Sequence, residues 1–148
     1  MSLEVKIVDD LKDAMRAKDA LRLETVRAVK SQMKYYQVEH KLEKLTDEDI
    51  ITIITKLCKQ RKDSFEQFTN AGRIDLAEKE GKELKILESY LPAQLSVEDI
   101  KTIILEAVKE TGISEKKQLG LLMKNIMPKV KGKADGKIVN QIVNEILK

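Results

Sequence analysis

Tryptophan is absent from this chain, and cysteine and histidine occur once each, as Cys58 and His40. Eighteen residues apart on different predicted helices, these two give no ligand set of zinc spacing, so no metal is expected. A lone cysteine excludes an internal disulfide and points to a reducing compartment. Six glycines and two prolines supply fewer sharp turns than a sheet protein of this size needs. The aromatics number five, Tyr35, Tyr36, Phe65, Phe68 and Tyr90, which argues against tracking a single strand by base stacking. No apolar run approaches the roughly 18 residues of a membrane span. Met1-Ser2-Leu3-Glu4 has no basic region leading into an apolar core, so no secretory signal is expected. Together these absences give the expectation of a cytoplasmic protein with no membrane partner.

What is present is aliphatic and charged. Hydrophobic residues make up 42% of the chain and charged residues 36%, a composition that folds and is strongly solvated. Apolar side chains recur at spacings of three and four, which predicts an all-α fold. Ile7, Leu11, Ala14 and Met15 line a first helix. Asp19 is placed to cap a second, whose stripe is Val26, Val29, Met33 and Tyr36. Thr46, with Asp49 three residues on, opens a third that buries Ile50, Ile54, Leu57, Cys58, Phe65 and Phe68. Gly72 is the left-handed residue past its end. A fourth helix carries Leu76, Leu84, Leu87 and Leu91 and is stopped by Pro92. Ser96 with Asp99 starts again. Three shorter helices follow: one ending at Gly112, one closed by Pro128, and one carrying Ile138, Val139, Ile142, Val143 and Ile146. This reading gives an N-terminal helical domain over residues 1–94 and a C-terminal three-helix domain over residues 95–148.

Charge is uneven along the chain. Residues 115–148 hold eight lysines against three acids, whereas residues 1–114 hold 20 basic against 22 acidic residues. A basic end on a near-neutral body points to an anionic partner. Lys129, Lys131, Lys133 and Lys137 gather around Gly132 and Gly136, with Asp135 the one acid among them. Glycine lets a backbone approach a ligand, and a helix starting here presents N–H groups that favour anions. Asp135, as the cap, competes for those N–H groups and leaves the lysines as the better contacts. Downstream, Lys137, Asn140, Gln141, Asn144 and Lys148 form a polar stripe rich in amides, which donate and accept. The segment from Gly132 to Ile138 is not a phosphate loop, because it lacks the glycine spacing, the Ser or Thr after lysine and the preceding strand. Arg27, Lys30, Lys34 and Lys41 fall within about 60° of one another on the second helix. Arg22, Arg27, Lys30 and Lys34 are expected to form a secondary basic surface. Cys58 shares a stripe with Ile54 and Phe65 and has no histidine in reach as a base, so it reads as a buried thiol.

Several blocks in order resemble the GatB/YqeY family over nearly the whole chain. They are Leu21-Arg22-Leu23 with Val26-Arg27, then Gln60-Arg61-Lys62-Asp63-Ser64, Gln67-Phe68 with Ala71-Gly72-Arg73, and Asp75-Leu76-Ala77-Glu78-Lys79-Glu80. Tyr90-Leu91-Pro92, Met127-Pro128, Lys131 to Lys137 and Val139-Asn140 complete the set. The resemblance implies an N-terminal bundle joined to a tail similar to that of the B subunit of the glutamine-dependent Asp/Glu-tRNA amidotransferase. In such enzymes the catalytic cradle lies elsewhere and the tail is associated with holding tRNA. Related modules are appended to an aminoacyl-tRNA synthetase. The family's label, carbon–nitrogen ligase with glutamine as amide donor, belongs to the whole enzyme, and no residues here supply an ATP site or a glutaminase nucleophile.

The expectation is therefore an accessory tRNA-binding module with no catalytic residues, cofactor or metal of its own. Its nucleic-acid contact is expected at Lys129, Lys131, Gly132, Lys133, Gly136, Lys137, Asn140 and Asn144. Two rivals stand beside it: a protein adaptor docking on an amidotransferase or synthetase, and a ligase component active only within a larger complex.

Overall fold

Polar caps set where most of the α-helices begin. In the computed structural model, which describes residues 2–147, Ser2 accepts from the Val5 backbone N–H and opens α1, Leu3–Ala17. Asp19 accepts from the Arg22 N–H at 3.2 Å and opens α2, Ala20–Glu39. Thr46 and Asp49 form a reciprocal capping box, each side chain taking the other's backbone N–H, at the head of α3, Asp47–Asn70. Such caps satisfy N–H groups that the first helical turn leaves without partners. Gly72, at φ +75°, turns the chain into α4, Ile74–Glu88. That helix ends before Leu91 and Pro92, earlier than the apolar spacing predicts, with Ser89 as its C-cap.

Most of the largest buried side chains of this first unit are those the periodicity selects; Leu45, Ile53 and Tyr90 are buried without having been selected, and two selected residues are exposed. Ile7, Val26, Val29, Ile50, Ile54 and Leu87 are fully or almost fully enclosed, with Met33, Leu45, Ile53, Leu57, Cys58 and Tyr90 beside them. Each large aliphatic side chain so enclosed stabilises the fold by about 1.5–3 kcal/mol. Met15, expected inside, is 53% exposed, and Phe65 is 42% exposed. At 24 residues, α3 is about 36 Å long and outruns the other helices. Phe65 lies on its far half, where its ring crosses Gly81 of α4.

Ion pairs knit the same unit at two places. Asp10 accepts a 2.6 Å hydrogen bond from the buried Tyr90 hydroxyl and pairs with Arg22 at 3.2 Å and Lys6 at 3.4 Å. Burial, and then the bond to Asp10, push the Tyr90 hydroxyl well above its ordinary range. On the α3–α4 pair, Arg61 Nε stands 2.7 Å from Glu83 and 3.5 Å from Glu80, without the alignment of a hydrogen bond. Glu83 is almost wholly buried there. Burial, and then the neighbouring Glu83, raise the Glu80 carboxyl against the pull of Arg61.

The chain divides between Leu91 and Pro92. The second unit opens with Ser96 and Asp99 in another reciprocal capping box, heading α5, Val97–Thr111, which ends at left-handed Gly112. A 3-10 turn, Lys116–Gln118, leads into α6, Leu119–Val130, and α7 runs Gly136–Ile146. Ile100, Ile104, Leu122, Ile126, Val130, Val139 and Val143 make its core. Pro128 does not close α6: the helix continues two residues beyond it. Proline here removes the N–H that would bond the Lys124 carbonyl, yet the last turn still forms, the Lys131 N–H reaching the Met127 carbonyl at 2.9 Å. Every regular element among the described residues is helical, and no helix of theirs is long and apolar enough to cross a membrane.

Candidate nucleic-acid interface

The lysine-rich turn between α6 and α7 is held from three sides. Gly132 is buried at φ +75°, a conformation that side chains rarely tolerate, so this glycine is required by the turn. Gln94 Nε2 donates to the Gly132 carbonyl at 3.0 Å, and the Leu95 N–H donates to the Lys133 carbonyl at 2.8 Å. The Val130 carbonyl accepts from the N–H groups of both Lys133 and Ala134. Gly136 has no such need. It is the first residue of α7, has no positive φ, and a Cβ there would meet only Met127 Cε at an ordinary 3.7 Å.

On this fixed turn the side chains of Lys131, Lys133 and Lys137 are exposed. Their ammonium groups have no carboxylate partner among the described residues. Lys129 differs, since it pairs with Glu110 of α5 at 3.7 Å, both groups being largely solvated. Such a pair contributes little and yields to a stronger anion. Asp135 occupies the first N–H groups of α7 as expected, accepting from Lys137 N–H at 3.0 Å. Anion binding by the helix terminus itself is thereby displaced in favour of the side chains. Asn140 and Asn144 are exposed on α7 and bonded to each other, the Asn144 amide donating to the Asn140 carbonyl at 3.1 Å and to its Oδ1 at 3.2 Å. That leaves the Asn140 amide N–H₂ as a donor. Gln141 is exposed between them, and Lys148 lies outside the described residues.

The second basic surface loses one member. Arg22 is committed to Asp10 and the Tyr90 cluster, because on a helical wheel it stands about 140° from Arg27. Arg27, Lys30 and Lys34 remain, exposed along α2. Lys30 and Lys34 line a shallow hollow that also contains Glu4, so its field is less positive than that of the α6–α7 turn. Lys41 falls past the end of α2, at φ +53°.

Cys58 is 4% exposed, and burial pushes its thiol up to about 11, which leaves it protonated at neutral pH. Among the described residues no three acids, cysteines or histidines group as metal ligands do. The two ion-pair clusters around Asp10 and Glu83 were not visible in the sequence, because their partners meet across 80 and 22 residues. The blocks containing Arg22, Arg61, Glu80 and Tyr90 mark their positions.

The chain is similar to proteins named altered inheritance of mitochondria protein 41, mitochondrial. That of Kluyveromyces lactis is 45% identical over 84 residues, covering 57% of this chain and 45% of that protein. That of Candida glabrata is 36% identical over 125 residues, covering 82% of this chain and 66% of that one. An uncharacterised protein of Schizosaccharomyces pombe is 33% identical over 95 residues, 64% of this chain and 76% of that protein. The chain thus spans about half to two thirds of the length of the first two relatives. Their names overturn the cytoplasmic expectation, which rested on a single cysteine and the character of four N-terminal residues; the relatives so named are mitochondrial. Residues 4–147 match the model of one family, described as Yqey-like protein. Since that match takes in both helical units, the chain belongs to the YqeY-like family.

Proposed function

We propose that this protein is an accessory tRNA-binding module whose principal contact is the α6–α7 turn, acting in tRNA or aminoacyl-tRNA metabolism. The names of the relatives support a mitochondrial compartment for it. The observation that carries the reading is a set of three exposed lysines, Lys131, Lys133 and Lys137, on a turn pinned by Gly132 and Gln94. A fixed backbone holds the roots of these side chains at constant spacing, so less chain entropy is lost when their charges meet an anion. A folded RNA offers phosphates at comparable spacing and is recognised through shape and backbone. The Asn140 amide adds a donor without charge.

Salt dependence tests this. Each lysine laid against a phosphate releases counterions and contributes about −0.7 to −0.9 to the slope of log affinity against log salt. Replacing Lys131, Lys133 and Lys137 by Ala is expected to flatten the slope for tRNA by about two units. Helicity should hardly change, since these side chains pack against nothing. Asn140→Ala should weaken binding at unchanged slope, and the triple change of Arg27, Lys30 and Lys34 should matter less. An unaltered affinity and slope in the Lys131/Lys133/Lys137 variant goes against the assignment.

The adaptor reading has one observation in its favour. Val97 and Leu105 on α5 and Leu121 on α6 are 50–63% exposed, which is apolar surface a protein partner would cover. Capture of a synthetase or amidotransferase that survives ribonuclease would favour it over RNA binding.

A further inference from the structure

A cleft between α2 and α3 gathers aromatic, amide and charged side chains. Gln32, Tyr35, Tyr36 and Glu39 line it from α2 with the C-cap His40, and Lys56 and Gln60 from α3, around a volume of about 270 Å³, Glu39 being the one carboxylate beside the one ammonium group. Three of the chain's four tyrosine and histidine rings meet here, and Tyr35 is 69% exposed. An exposed tyrosine of that kind gains nothing from burial, so its position beside two more rings is informative. The Tyr36 and His40 rings stack with centroids 3.9 Å apart and planes 23° off parallel. Both are held in place: the Tyr36 hydroxyl donates to Asp49 at 3.5 Å, and His40 Nδ1 lies 3.0 Å from the Tyr36 carbonyl. A carbonyl only accepts, so that ring nitrogen carries the proton and Nε2 is left for other partners. The rings are ordered before any ligand arrives, which lowers the entropy cost of stacking on them.

Few aromatics argue against stacking along a strand, but one base needs only one cluster. The cleft falls just below the roughly 300–1,000 Å³ of drug-sized pockets, a size suited to a single planar ring. Gln32 and Gln60 bring amides from opposite walls, and a glutamine amide matches the donor and acceptor edge of adenine. Lys56 supplies a cation for the attached phosphate. We propose that this cleft takes one unpaired purine base, adenine in preference, stacked on its tyrosine and histidine side and read by Gln32 or Gln60. The source intended is the bound RNA, so the inference rests on the function proposed above, yet its test is separable from that reading.

The experiment measures binding of tRNA, of oligoadenylate and oligouridylate RNA of equal length, and of AMP, with ring resonances of Tyr35, Tyr36 and His40 followed by NMR. Oligoadenylate is expected to bind more tightly than oligouridylate, and AMP to shift those resonances. Tyr35→Leu with His40→Leu, both at exposed positions, should lower affinity for tRNA about tenfold or more at unchanged salt slope, as loss of base stacking does. Tyr35→Phe should retain it. If tRNA binds the wild type and the double variant equally, the cleft proposal is overturned while RNA binding stands. Ring resonances unmoved by both AMP and oligoadenylate overturn it too. If no RNA binds but AMP moves the rings, the cleft stands as a site for a free nucleotide and the tRNA function falls.

Discussion

Cys58 shows what burial does to one reactive atom. Enclosed with Ile54 and Leu57, its thiol is pushed by burial up to about 11, well above an unfolded cysteine. Because the folded state holds the proton more tightly, stability is unaffected below about pH 9 and declines as pH rises toward 11. Cys58→Ala should remove that part of the alkaline decline in urea titrations at pH 7 and pH 10. At pH 7 the same change should cost on the order of 1 kcal/mol, the scale of a small buried truncation. Native protein should react slowly with thiol reagents, and rapid alkylation would contradict the burial. The lysines of the α6–α7 turn are the opposite case, since solvent already satisfies them and only an external anion changes their energy.

At the scale of the element, Gly81 is an anomaly inside α4. It has no positive φ, and a Cβ added there would meet Phe65 ring carbons at 3.5 and 3.6 Å, ordinary van der Waals distances. Nothing in the backbone asks for glycine. Gly81→Ala should therefore stabilise the protein by about 0.5–1 kcal/mol through helix propensity, read as a higher thermal midpoint; a lower one would mean the Phe65 ring cannot yield. Helix ends were legible because caps are local chemistry: Asp19, Thr46 with Asp49, Ser96 with Asp99, Gly72 and Gly112 all act within four residues of themselves. Phe65, Met15 and Leu91 were misread for the converse reason, whereas the offset of Arg22 from Arg27 was already in the helical wheel. A period of 3.6 tells which face of a helix is apolar, not how far its neighbours extend. Of the site, the lysines and the Asp135 cap could be read from residue types alone. The φ of Gly132, its bond from Gln94 and the pairing of Lys129 with Glu110 depend on folding and could not.

For the whole molecule, the division at Pro92 matters more than any single contact. Two units with separate cores should behave as separately protected bodies joined by a segment with little helix. Between Glu88 and Val97 no helix is formed, and Ala93 and Gln94 are exposed. Elastase is expected to cut first at Ala93, giving two resistant fragments on mass analysis; a first cut within α2 would contradict this. Charge divides along the same line, the basic excess lying in the second unit.

The clasp of Gln94 and Leu95 on Gly132 and Lys133 also fixes what a transplantable version of the second unit must contain. Helix α5 starts at Val97, so a graft trimmed to its helices would begin at Ser96 and look complete. It would leave behind both donors that hold the turn, freeing the carbonyls of Gly132 and Lys133 to seek water and the lysines to drift. A fusion that is to carry this turn in its held form has to start at Pro92, taking four residues that belong to no helix.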